Sequence, residues 1–401
     1  MMFRRTLTIA LQLLLPFFLI AQSSDTQDFE DGGKDVLDGI HRIFHRKNIA
    51  TDSIFRQRHI RIGILPAMGY TLQTGFAAVL STNMVIYKRR KQDTILPSTV
   101  IASVSYTQQK QVIFPIQSVI YFKHNRAMLI SDWRFLKYPS FTYGLGMHSG
   151  PADENQLDFQ YFKFHESILF QLSPGLYAGG GYALDYFWNV KELHPHPSPA
   201  NDFENYGYRT QTISSGLSFH LLRDTRDNPI NAYSGTYSSI AVNPRFKFMG
   251  SDASWTTMLL QWRGYFRFPA NSANTMALWS YNWFTLAGKP PYLMLPATGW
   301  DKSYNTGRGY IQGRFRSNNM IDGEAEYRIR LTNNGLLGMV LFGNLESFSE
   351  INTWRFESVA PAGGLGLRIK LNKYSRTNIS IDYGWGKQGS RGFFVNLGEV
   401  F

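Results

Sequence analysis

The 401-residue chain contains no cysteine. That excludes a disulfide framework, a thiolate metal site, a cysteine nucleophile and the lipidated cysteine of a lipoprotein anchor. Charge is scarce as well: Asp, Glu, Lys and Arg make up 17% of the residues, against roughly 25% in ordinary soluble domains. Beyond the N-terminus no apolar run approaches the roughly 18 residues that a membrane-crossing helix needs, which excludes a helical membrane protein. A Gly-x-Ser-x-Gly nucleophile elbow is missing and no other catalytic set replaces it, so no enzymatic activity is expected. His194 and His196 alternate with prolines in a stretch read as surface loop rather than metal site, and neither metal nor cofactor is expected.

What the chain has in excess is aromatic: 30 Phe, 22 Tyr and 9 Trp. Rings in that number imply a surface that tolerates them, such as a membrane interface. The net charge of +12 is spread between apolar residues instead of gathered in a tail or along one helix, so nucleic acid is not an expected partner.

Arg4 and Arg5 precede an apolar stretch over residues 7–20, and Ala21 then Gln22 offer a small-residue cleavage context. Residues 1–21 are expected to be a cleaved secretory signal peptide. Residues 22–59 follow as a periplasmic leader, polar and acidic at first. Within it Val36, Leu37, Ile40, Ile43 and Phe44 recur at helical spacing beside Arg42, His45, Arg46 and Lys47. This short amphipathic helix is expected to rest on, or plug, the following domain, or to dock a partner.

From residue 60 to 401 the dominant signal is period-two alternation in segments near ten residues long. Ile240, Val242, Pro244, Phe246 and Phe248 alternate with Ala241, Asn243, Arg245 and Lys247. Met258, Leu260, Trp262, Phe266 and Phe268 share one face, while Gln261, Arg263 and Arg267 share the other. In the next clear example Ile321, Ala325, Tyr327 and Ile329 oppose five charges, Asp322, Glu324, Glu326, Arg328 and Arg330. A soluble sandwich would also alternate. The strands are long for one, however, and Trp133, Phe135, Phe266, Phe268, Tyr383 and Trp385 sit near strand ends, as interface girdles do. The fold class expected is therefore all-β: a transmembrane antiparallel β-barrel of about 16 strands in the outer membrane, surrounded by lipid and lipopolysaccharide. Long connections over 138–156, 190–207, 287–317 and 347–362 are expected on one rim and short turns on the other.

Particular residues then resemble a family, the outer-membrane assembly factor and two-partner secretion superfamily, whose barrel is also called the bacterial surface antigen domain. Asp224, Thr225, Arg226, Asp227, Asn228 and Pro229, with Gly235 after them, look like its periplasmic turn between the eighth and ninth strands. Gly307, Arg308, Gly309 and Tyr310 resemble the Arg-Gly-aromatic tip of a long loop that folds back into the barrel in this family. An inward Arg308 needs acceptors, and Glu324, Glu326 and Asp382 are the inward-facing candidates. Where the family carries Phe-x-Asp this chain has Phe342, Gly343 and Asn344, so Asn344 cannot supply the usual ion pair. The segments 65–70 and 138–144 resemble standalone members and barrels fused to patatin-like lipases. Phe401 looks like the terminal aromatic of the barrel-insertion signal; Val395 and Leu397 share its parity and Glu399 interrupts it.

The resemblance implies insertion or translocation of proteins or lipids at the outer membrane. The leader is too short for a polypeptide-transport-associated repeat, so client capture by this chain alone is not expected. A structural subunit binding envelope proteins through the N-terminal helix or outer loops is the alternative. A narrow pore comes third, anion-preferring because Arg245, Lys247, Arg263, Arg267, Arg368 and Lys370 face inward.

Overall fold

The computed structural model describes residues 35–36, 60–86, 98–122, 124–193, 202–207, 209–373 and 375–401. The signal segment, most of the leader, and His194 with His196 lie outside the described residues. Of the helix expected from Val36 onward, only Val36 is described, and it is helical.

Seventeen antiparallel strands make one sheet. They are β1 (Ile60–Thr71), β2 (Gly75–Ile86), β3 (Ser98–Thr107), β4 (Val112–Phe122), β5 (Ala127–Lys137), β6 (Ser140–Thr142), β7 (Asn155–Ser173), β8 (Leu176–Glu192), β9 (Thr212–Asp224), β10 (Gly235–Arg245), β11 (Trp255–Arg267), β12 (Thr275–Gly288), β13 (Asn319–Arg330), β14 (Leu337–Phe348), β15 (Ala360–Asn372), β16 (Thr377–Gly386) and β17 (Arg391–Leu397). β6 is a short piece laid on β7. The other sixteen pair as an up-and-down meander from β1 to β17.

Burial follows the alternation of the sequence. Opposite each other in the β10–β11 ladder, Ile240 and Leu260 belong to the outward set; Ile240, Trp262 and Phe266 are exposed, while Ala241, Arg245 and Tyr265 between them are buried. Water would reverse this arrangement, and lipid rewards it: the apolar rings lie outside and the charges inside. One inward assignment needs correcting. β10 ends at Arg245, and Lys247–Met249 form a tight 3-10 turn closed by the Gly250 N–H on the Lys247 carbonyl at 3.0 Å. Lys247 is therefore exposed beyond the strand, not on its inner face.

Connections 138–154, 193–211, 289–318 and 349–359 all leave the same rim, because each follows an odd member of the sixteen wall strands. The turns 174–175, 268–274, 331–336 and 373–376 lie on the other. Helix α1 (Asp202–Gly207), in the 193–211 connection, sets Phe203 and Tyr206 edge-on against Tyr292, with ring centroids 5.0 and 5.9 Å away. Aromatic packing of this kind ties the long-loop rim together.

Where the wall closes, β17 runs beside β1. Gly69 approaches so closely that a Cβ there would stand 3.3 Å from the Val395 carbonyl. Yet β1 is laddered to β2 and β17 to β16, and among the described residues no backbone ladder joins β17 to β1.

Candidate functional site inside the barrel

The 289–318 connection does not stand over the rim; it descends into the lumen. Asp301, Asn305, Thr306, Arg308, Tyr310, Arg314 and Arg316 on it are all buried. Local turns make the descent possible. The Asp301 carboxylate accepts from the Asn305 and Thr306 N–H groups at 2.6 and 2.8 Å. Arg134 on β5 donates to the Lys302 carbonyl at 2.8 Å while paired with Asp132 at 2.7 Å. The loop is thus pinned to the wall ahead of its tip.

At the tip Gly307 has φ +70° and Gly309 φ +110°. Only glycine adopts such angles without strain, and they aim Arg308 inward between them. Arg308 Nη1 donates to Asp382 at 2.7 Å, and Nη2 to Glu326 at 2.5 Å and to Glu324. The guanidinium also lies 3.9 Å from the centre of the Phe342 ring. All three inward carboxylates therefore meet one arginine. Asn344 contributes in another way: its amide donates to the Arg308 backbone carbonyl at 2.8 Å. The residue that breaks the family pattern fixes the loop backbone in place of its charge.

Tyr310 completes the tip by donating to the Pro361 carbonyl at 2.7 Å and accepting from the Lys387 N–H at 2.9 Å. Ser390 donates to the Gly309 carbonyl at 2.7 Å. The loop backbone rests directly on β16, where a Cβ on Gly384 would stand 2.9 Å from the Gly309 Cα.

Sequence reasoning missed the outer ring of this cluster. Arg368 pairs with Asp382 at 2.5 Å and with Glu399 at 2.8 Å, and Arg328 with Glu326 at 2.8 Å. Three guanidinium groups and four carboxylates thus share one buried site. Glu399 carried a signal that could have been read this way, since a charge on an otherwise apolar face needs an inward partner. Its position also corrects the expected face of Phe401. β17 ends at Leu397, and Gly398 turns left-handed at φ +103°. Leu397 stays outside, but Phe401 swings into the lumen against Trp279 at 5.1 Å, and its carbonyl accepts from Arg328 at 2.9 Å.

The turn after β9 is built as its residues require. Arg226 forks onto Asp224 at 2.7 and 2.9 Å. Asp227 accepts from the Tyr233 N–H at 2.9 Å, and Asn228 from the Ile230 N–H at 2.8 Å. Pro229 sits between them and its carbonyl accepts from Arg226 at 3.2 Å. A Cβ on Gly235 would stand 2.2 Å from the Thr225 carbonyl, so only glycine restarts the strand there. Arg376 reaches Asp227 at 2.5 Å and ties this turn to the one after β15.

Gly307→Ala tests the tip directly. The added Cβ would stand 2.5 Å from the Glu346 carboxylate, and left-handed φ costs an L-residue about 1–2 kcal/mol. The expected result is faster trypsin cleavage at Arg314 or Arg316 in the folded protein, with the barrel itself intact. Unchanged cleavage would show that the tip does not hold the loop.

No protein-family model matches the sequence, and no curated protein sequence does. Solved structures do match in fold. BamA from Haemophilus ducreyi, in a crystal structure lacking POTRA domains 1-3, superposes with a TM-score of 0.55 at 11% identity, over 92% of this chain and 83% of that one. CdiB from Acinetobacter baumannii superposes with a TM-score of 0.51 at 12% identity, over 85% of this chain and 60% of that one. The chain has the barrel fold of these two proteins.

Proposed function

We propose that this chain is an outer-membrane barrel, exported by its signal segment, that takes part in inserting or translocating proteins or lipids through the junction of β1 and β17. The observation that carries the reading is that unladdered junction. Every other neighbouring pair in the wall is held by a run of backbone hydrogen bonds, so parting β1 from β17 breaks the fewest. In a bilayer such bonds have no water to replace them, and an unladdered joint is where a wall opens at least cost. The likeness to BamA and CdiB supports the same reading. A passive pore fits less well, because the 289–318 loop and its buried aromatics occupy the lumen.

A Cys pair at Gly69 and Val395 tests the proposal in a chain that has no other cysteine. Liposomes carrying the reduced protein are expected to speed the insertion of an unfolded outer-membrane barrel, and oxidation to abolish the gain until a reductant restores it. A rate unaffected by locking would overturn the opening junction. No gain even when reduced would favour a structural subunit instead.

A further inference from the structure

Adjoining the Arg308 site, with Arg328, Arg368 and Glu399 common to both, a cavity of about 350 Å³ opens at the short-turn rim. Its walls are the ends of β11 to β16 together with the turns 225–234, 268–274, 331–336 and 373–376. Seven cationic side chains and one carboxylate, Glu399, line it, and three of the seven, Arg328, Arg368 and Arg376, are paired with Glu326, Asp382 and Asp227 outside the lining. Glu399 is already committed to Arg368 and lies near Arg328, so it neutralises nothing further out. Arg267 donates only to the Ser272 carbonyl at 3.1 Å, and Lys370 reaches the Tyr233 hydroxyl at 3.4 Å. Among the described residues neither has a carboxylate partner. Arg330 and Lys373 line the same concave surface. Like charges converging on a cavity raise its potential and draw an anion from solution.

The kind of anion is indicated by what already meets this rim. Asp35, in the segment ahead of the barrel, is buried, and its carboxylate accepts from the N–H of Lys373, a residue of the cavity wall, at 2.9 Å. A carboxylate carried on a polypeptide is therefore accommodated here. We propose that the cavity is a binding site for an acidic peptide segment, held by its carboxylates on Arg267 and Lys370. The segment is either this chain's own, since residues 23–38 carry six acids and one lysine, or that of a second protein. The inference does not depend on whether the wall opens between β1 and β17.

The probe is a fluorescent synthetic peptide of residues 23–38, titrated by anisotropy onto the full mature chain in detergent. It is also titrated onto a chain whose own acids at those positions are changed to Asn or Gln. Binding to either form, weakened by salt and reduced at least roughly tenfold in the Arg267→Gln, Lys370→Gln variant, supports the proposal; the factor is that of one lost charge-assisted hydrogen bond. Binding only to the neutralised chain assigns the site to its own segment, and binding to both assigns it to a second protein. Lys110→Gln, on the opposite rim, controls for net charge and is expected to change nothing. Heat-modifiable migration on gels confirms that each variant is folded. No binding to either form, equal binding by all variants, or inorganic phosphate that binds at Arg267 and Lys370 without being displaced by the peptide would overturn the proposal.

Discussion

Arg308→Ala is expected to lower the stability of the folded barrel by about 3–5 kcal/mol, the usual cost of removing one partner from a buried ion cluster. Its side chain is 1% exposed and touches Glu324, Glu326 and Asp382, each of them fully buried. Without it Glu324 loses its ion-pair partner, while Glu326 and Asp382 keep only Arg328 and Arg368. Desolvated charge with too few partners is unfavourable, and the loop tip loses its ion pairs and keeps only hydrogen bonds such as those of Tyr310 and Ser390. The measurements are the temperature at which the compact gel species is lost, protease access to 289–318, and single-channel conductance. All three should move together: lower, faster and larger. Arg308→Lys keeps the charge but not the planar fork and should recover part of the loss. Adding Glu324→Gln to Arg308→Met should restore more than either change predicts alone, because it removes the unpaired charge. Unaltered heat resistance and protease protection in Arg308→Ala would sink this account.

Leu341→Arg is expected to cost about 2–4 kcal/mol if the position lies at the bilayer midplane. Leu341 is near the middle of β14 and exposed on the outer face, and its ladder neighbours are Tyr327 and the equally outward Leu365. An arginine there has no inward partner and must snorkel or drag water with it. Ile351→Arg, in the 349–359 connection, adds the same charge outside the wall, and its effect should stay within about 0.5 kcal/mol. Urea titration in vesicles reads both. Equal losses at the two positions, or none at Leu341, would show that the outer face of β14 does not meet lipid.

Wall and lumen were legible to different degrees. The period-two pattern separated the outward from the inward residues of β10, β11 and β13 as they are observed, because a barrel strand meets two distinct solvents and each residue must match the one it faces. Gly307 to Tyr310 pointed to an inward tip through their resemblance to a family loop motif, and the flanking glycines supply the left-handed turns it needs. Lys247 was misplaced because alternation does not reveal where a strand stops; that is set by Gly250 closing a turn across it.

Composition and alternation by themselves determined the all-β wall, the outward and inward faces and the need for an acceptor inside the barrel, since these depend on what each residue's neighbours along one strand require. Only the tertiary structure decided that three carboxylates from two strands meet one guanidinium, that Asn344 holds a carbonyl, that Glu399 and Phe401 turn inward, and that the junction of β1 and β17 is left without a ladder. Each of these joins residues far apart in sequence, and the curvature and stagger of a closed sheet, not local pattern, set which of them come within reach.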